Sequence, residues 1–462
     1  MRVAVARTAR PDQPWHDLVV ESIRQVDGVE AVLAGAPTSD SPSDIWIDLS
    51  GARPPVDPPF GVWRFGFGDG APHAGAAPGT LARLYRLTAD PARAVVLHEG
   101  WYRSRSLESW GTTSVGARVA GWCARALRQI TLGDRETVNG PPQSIDGCRN
   151  LVPPAAVSRR STVAGEIAGW LTRERWTIGL AAVSIEEVMQ RGRLPAIAWM
   201  GGQPADRFFA DPFPLSHARD PVRLIAEEYH YASRSKRLVE LAVARSGRLL
   251  ECRAPGLLPV DASYPFVRRE GSRVWCIPET FRARSVSAFV SDDDGRTWRR
   301  DGDLLEGFPA VDSTLVEHEG LWWLFCTRQG DEDQTDLHLF FAAHWRGPWA
   351  AHPLNPVKSD TRSSRPAGAL FRLAGSLYRP AQDCSRRYGG GVTVNRIEAL
   401  SPHAFRETAV AAFGPDESSE WPHGLHTLNG GIGYTVVDGL RLEPRLGPAA
   451  WSARARRQAA TS

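Results

Sequence analysis

Between Phe208 and Asp438, short apolar runs come in pairs, each pair joined by a polar or glycine-bearing turn. Runs of this length, bounded by turn residues, predict β-hairpins. The first pair is Phe208-Phe209-Ala210-Asp211-Pro212-Phe213-Pro214-Leu215, returning as Val222 to Glu228. The second runs from Ser263-Tyr264-Pro265-Phe266-Val267 through Gly271 to Val274–Glu279. The third runs from Asp312 through Gly320 to Arg328, and the fourth from Arg365 through Gly375 to Asp383. A weaker fifth runs from His426 through Gly430-Gly431 to Asp438. Each pair carries a polar residue at a matching place. Glu279, Arg328 and Asp383 all lie eight residues beyond the turn glycine.

One hairpin every fifty residues or so predicts a five-bladed β-propeller, in which equivalent strand ends face one central cleft. The cleft candidates are then Asp211, Tyr264, Asp312, Arg365 and His426 on one strand of each blade. On the next strand they are Glu228, Glu279, Arg328, Asp383 and Asp438. Ser291-Asp292-Asp293-Asp294-Gly295-Arg296-Thr297-Trp298 fits S-x-D-x-G-x-T-W, an Asp-box, which builds a hairpin turn and carries no chemistry of its own.

The amino-terminal part has a different rhythm. Val3–Ala6, Val29–Leu33 and Asp44–Leu49 read as strands, and Trp15–Val26 carries apolar residues at helical spacing. Strand-helix-strand order predicts an α/β domain over 1–135, with a second helix within 112–132. Asp48 and Asp69 read as strand-end caps, and Gly66-x-Gly68-x-Gly70 lacks the strand-to-helix setting of a dinucleotide fingerprint. Asn139-Gly140-Pro141-Pro142 and Val152-Pro153-Pro154 mark 136–172 as a linker. The propeller is expected over 173–445, followed by an arginine-rich tail over 446–462.

Charge narrows the partners. Lys+Arg 55 against Asp+Glu 52 leaves +3, which argues for neither nucleic acid nor an anionic membrane. Nearly all the positive charge is arginine; only Lys236 and Lys358 are lysines. Six cysteines show no metal spacing, the first apolar run is too short for a signal peptide, and no stretch reaches membrane-spanning length. The expectation is a reduced, cytoplasmic protein acting on a small molecule or glycan, with its oligomeric state left open.

"DIWIDLSG", "GVWRFGFGDG" and "LHEGWYRS" resemble the amino-terminal domain of methionyl-tRNA formyltransferase-like proteins in reduced form. The residues that family uses for formyl transfer are missing, so the resemblance implies a structural or docking role. "FFADPFPL", "IPET", "VDSTLVEHEGLWWLF", "SRPAGALF" and "HTLN" resemble the five-bladed propeller of glucosamine inositolphosphorylceramide transferase proteins. That domain is similar to the family 43 furanosidase-type glycoside hydrolases, which invert at the anomeric carbon with a carboxylate base and a carboxylic acid.

By that resemblance Asp211 takes the base position. Tyr264 stands where a tuning aspartate is expected, and Asp312 where a glutamic acid is expected. Glu279 or Asp383 would supply the acid. Glu228, Tyr264, Arg328, Arg365, Gln382, Tyr388 and His426 would bind substrate. No cofactor and no metal ligand set is called for, though the resemblance leaves room for a structural ion on the propeller axis near His426. Three readings stay open: a carbohydrate-active enzyme, a specialised-metabolite enzyme that has reused the cleft, and a non-catalytic binding or scaffold protein.

Overall fold

The computed structural model describes residues 1–7, 15–34, 43–51, 54, 56–69, 79–103, 115–134, 136, 139–145, 148, 171–215, 220–254, 261–330 and 332–445. The expected tail over 446–462 and most of the expected linker lie outside the described residues.

Residues 1–148 build one seven-stranded mixed sheet, in the order Glu30–Ala34, Arg2–Ala6, Ile45–Asp48, Val62–Asp69, Gly79–Leu87, Arg93–Arg103, Gln143–Ser144. The first four strands are parallel and the rest antiparallel. Helices α1 (Trp15–Arg24), α2 (Val115–Val119) and α3 (Trp122–Thr131) cover it. Their apolar sides bury Val19, Ile23, Val119, Trp122 and Leu127 against Val3, Val5, Trp63 and Phe65. Each such side chain contributes about 1.5–3 kcal/mol. The domain runs past the expected boundary, because Gln143–Ser144 pairs with the sheet edge and buried Cys148 donates to the Gly66 carbonyl (3.0 Å). Asp48 is a strand-end cap: it accepts from the Ser50 and Gly51 N–H groups (2.9 and 2.7 Å) and binds Arg64.

Residues 172–444 form five antiparallel sheets, each of four or five strands. Blade one spans 207–253, blade two 263–306, blade three 310–359 and blade four 371–413. Blade five joins Leu428–Gly431 and Tyr434–Pro444 to Thr172–Ala181 and Ile197–Trp199, so the propeller's first strand closes its last blade. Helix α4 (Ile185–Arg191) lies in that blade's connection, capped by Ser184. The Asp-box makes the predicted turn in blade two. Asp293 accepts from Thr297, Gly295 adopts φ +87° with its N–H on Ser291 Oγ (2.8 Å), and Trp298 is buried.

Blade three carries the amino-terminal domain. Thr361 N–H donates to the Trp101 carbonyl (2.9 Å), Arg362 pairs with Glu99 (2.9 Å), and Tyr102 Oη donates to the Ser359 carbonyl (3.2 Å). Gly100 permits the approach: a Cβ there would lie 2.1 Å from the Ser359 oxygen. Among the described residues no helix is long and apolar enough to cross a membrane.

Candidate functional site

The first strands of blades one, two and three share a distortion. Their pairing slips between Ala210 and Phe213, between Ser263 and Phe266, and between Val311 and Thr314. At each slip a non-glycine residue has a left-handed backbone: Asp211 (φ 51°), Tyr264 (φ 41°) and Asp312 (φ 54°). A bulge re-aims a side chain, and holding such a φ costs about 1–3 kcal/mol, so the surrounding structure must hold it in place. Two of the three bulges are held alike. Asp438 accepts from the Asp211 N–H (3.2 Å), and Glu279 accepts from the Asp312 N–H (3.2 Å).

Asp211, Glu227, Glu279 and Asp312 line one cavity of about 840 Å3 at the propeller centre, together with Lys236, Ser263, Arg365, Tyr388, His426 and Trp176. On one side His426 sits between two carboxylates, Nδ1 2.5 Å from Asp438 and Nε2 3.4 Å from Asp211. Burial alone would lower the imidazole; Asp438 and Asp211 outweigh it and hold His426 up at about 9. Asp438 also accepts from the His426 and Thr427 N–H groups and the Thr427 hydroxyl, and the imidazolium holds its carboxyl below the usual range despite burial. Trp176 stacks on His426 at 4.0 Å, and Tyr388 meets it edge-on at 5.5 Å.

On the other side Arg365 Nε donates to Asp312 Oδ2 (2.6 Å) and Gln382 Nε2 donates to the same oxygen (3.1 Å). Burial raises the Asp312 carboxyl well above the usual range despite the pull of the guanidinium, with Glu279 and Asp211 adding to the rise. Between the two sides, Lys236 Nζ lies 3.4 Å from Glu227 and donates to Ser263 Oγ (3.3 Å), whose hydroxyl donates to Glu279 (3.0 Å). Burial pushes Glu227 up to about 7 against the pull of Lys236, with Asp211 and Glu279 adding to the rise. Burial also raises Asp211, against the pull of His426. Such a set can give and take protons near neutrality.

The structure brings Asp211, Asp312, Glu279, Arg365 and His426 together as the repeat implies, with Tyr388, expected from the resemblance alone, beside them. Gln382 lies behind them on Asp312, and Tyr264 is fully buried between blades, its hydroxyl on Thr314 (2.9 Å) and accepting from the Gly368 N–H (2.7 Å). Three expected residues are placed elsewhere. Glu228 faces away from the cavity into Arg207, His230 and Arg237, and Glu227 takes the inward position. Neighbouring strand residues point to opposite faces, so a reading one residue off exchanges them. Arg328, paired with Ala310 at the corresponding register, is exposed. Asp383 is half-buried, outside the cavity lining, and caps the Ser385 N–H (2.8 Å). Residues missed in the sequence are Glu227, Lys236, Ser263 and Trp176. A signal for one was present: Lys236 is one of only two lysines.

Residues 259–430 match the family described as glucosamine inositolphosphorylceramide transferase 1, N-terminal. The match covers blades two to four and the opening of blade five. It takes in Glu279, Asp312, Arg365, Gln382, Tyr388 and His426, and leaves Asp211, Glu227 and Lys236 outside. Glucosamine inositolphosphorylceramide transferase 1 of Oryza sativa subsp. japonica is 33% identical over 251 residues, 52% of this chain and 32% of that protein. The Arabidopsis thaliana protein of the same name is 33% identical over 153 residues, 32% of this chain and 20% of that protein. The chain therefore spans about a third or less of the curated relatives it matches. Among solved structures, a family 117 glycoside hydrolase from Zobellia galactanivorans aligns over 58% of this chain and 90% of that one, at 11% identity and TM-score 0.38. A family 43 β-1,3-galactosidase aligns over 47% and 81%, at 9% identity and TM-score 0.35. The five blades themselves follow from the strand pairing above.

Proposed function

We propose that the propeller cavity is the active site of a carbohydrate-active enzyme that works by carboxylate acid/base chemistry. The observation that carries the reading is Glu227 beside Asp211 in one buried cavity, the first held near 7 and the second facing an imidazolium. In this reading Glu227 protonates the leaving oxygen. Asp211 takes a proton from the attacking water, or from an acceptor hydroxyl if the sugar is transferred, and His426 stabilises the charge Asp211 carries. Lys236 holds Glu227 and is itself tied to Glu279 through the Ser263 hydroxyl, and Arg365 with Tyr388 shapes the ligand wall. The relatives are named transferases, but a third or less of them is matched and the matching family model is described as N-terminal, so the name supports a sugar-related ligand more than a particular reaction.

The reading needs no metal. Asp211, His426 and Asp438 offer donor atoms within 4.8 Å of one another, yet both imidazole nitrogens already face carboxylate oxygens, which suits a proton better than a cation. A chelator is therefore expected to leave activity unchanged. The amino-terminal sheet is read as a reduced formyltransferase-like domain that serves as a docking partner of blade three.

A second reading, sugar binding without turnover, is favoured by the commitment of Asp312 Oδ2 to Arg365 and Gln382 and of Glu279 to Ser263 and the Asp312 N–H. Wild type and Glu227→Gln, incubated in parallel with a glycoside panel and followed by NMR of the anomeric proton, separate the two. Turnover by wild type alone, with inversion, supports catalysis. Equal ligand-induced stabilisation of both proteins without product supports binding and sinks the enzymatic reading.

A further inference from the structure

A smaller, separate cavity, of about 200 Å3, lies between α3 and the blade-three segment around Asn355, Pro356 and Ser359. Its walls include Arg118, Arg125 and Arg128, and no aspartate or glutamate is among its described lining residues. Arg125 is only 6% exposed and Trp122 only 2%. Arg125 donates from one terminal nitrogen to the Pro356 carbonyl (2.6 Å), but its Nε and the Trp122 Nε1 are buried with no hydrogen-bond partner.

Leaving a buried N–H unpaired costs about 1–3 kcal/mol, and a guanidinium without a counter-ion costs more. Burial lowers Arg125 to about 10. The acid that acts on it, Asp336, makes no ion pair with it; burial raises Asp336 to about 7, and its carboxyl is bonded to Ser359. The cavity also opens on the amino end of α3, where Gly121 supplies no side-chain cap to the first N–H groups. Unpaired donors, arginines and a helix amino end in one space form a site for negative charge.

We propose that this interdomain cavity binds a phosphate-sized oxyanion, free or as a small phosphate ester, which bridges α3 to blade three. Arg125 and the Trp122 Nε1–H are its specific donors, and the anion completes the contact between the two domains. The site is separate from the propeller centre and does not depend on the carbohydrate reading.

The test follows thermal unfolding of the full chain against inorganic phosphate and, in a second arm, glucose 6-phosphate, at constant ionic strength. Wild type is expected to gain about 3 °C or more in Tm, saturably, with millimolar inorganic phosphate. Arg125→Met should abolish the gain. Trp122→Phe keeps a ring but removes the donor, and should weaken the apparent affinity by about 5-fold. Arg234→Ala, at the mouth of the propeller cavity, should respond like wild type, which assigns the binding to the interdomain site. Response to both ligands identifies a phosphate-ester site, and response to inorganic phosphate alone a free-anion site. No saturable gain in wild type, or an equal gain in Arg125→Met and Trp122→Phe, overturns the proposal.

Discussion

Asp211 and Asp312 occupy the same place in blades one and three, yet they are answered differently. Both sit on a bulge with a left-handed backbone, and both give their N–H to a carboxylate of the preceding blade at 3.2 Å. Asp211 then faces an imidazolium, and Asp312 a guanidinium. An imidazolium releases its proton near the physiological range, while a guanidinium does not. One architectural slot therefore faces a titratable cation on one side of the cavity and a permanent one on the other. The lesson is that the bulge sets where the carboxylate points and the neighbouring blade sets what it can do.

The sharpest way to break this comparison is Arg365→Met. It leaves Asp312 buried without its cation and should cost about 3–5 kcal/mol, read as a lowered denaturation midpoint. Next comes pH. His426 is held at about 9, above the ordinary 6.5 of an imidazole, so its contribution is fully present below about 6.5 and is lost as pH rises through 9. That step should be on the order of 3 kcal/mol in stability between pH 6.5 and 9. Asp438→Asn should flatten it, which NMR titration of His426 checks directly. Glu227 gives a lower step of the same sign, lost as pH rises from about 4.5 through 7, and Glu227→Gln should remove it.

A smaller effect in energy is expected for Asp211→Asn, a loss of about 10²-fold in turnover with the fold kept, equal to about 2.7 kcal/mol in the barrier. The smallest is Arg328→Ala. That side chain is exposed, so stability should change by no more than about 0.5 kcal/mol and turnover should not change. A large effect there would mean that ligand reaches beyond the cavity.

The blades were legible because hairpins repeat, and Asp211, Asp312, Arg365 and His426 could be picked out as polar residues at matching places in those repeats. The second strand was read less well, for a geometric reason. Counting from the turn glycine gives the position along a strand, but the same count puts Glu279 in the cavity and leaves Arg328 exposed and Asp383 outside the lining, so it does not decide which residue reaches the centre. Glu227 and Glu228 are adjacent acids, and only the pairing Ala210 with Glu227 separates them. Lys236 was visible in another way. In a chain whose cations are otherwise arginine, both lysines sit in partly or fully buried ion pairs, Lys236 with Glu227 (3.4 Å) and Lys358 with Glu407 (2.7 Å). A compact ammonium fits where a planar fork would not. Trp176 could not be found from the repeat, because it enters from the strand that precedes the first blade.

That strand has a consequence for the order in which the site comes into being. Trp176 is made before any complete blade, and Asp438 is among the last propeller residues to be made, yet both lie in the strand pair that closes the ring, Trp176 opposite Leu440 and Asp438 opposite Ile178. Until Tyr434–Pro444 has found Thr172–Ala181, Asp211 has neither the carboxylate that holds its backbone nor the imidazolium beside it. Four blades can be present, with Lys236 on Glu227 and Arg365 on Asp312, while Asp211 still lacks both of its partners. The setting proposed for acid/base chemistry is therefore complete only once the ring closes, and a chain stopped short of its last strand carries Asp211 and Glu227 without it.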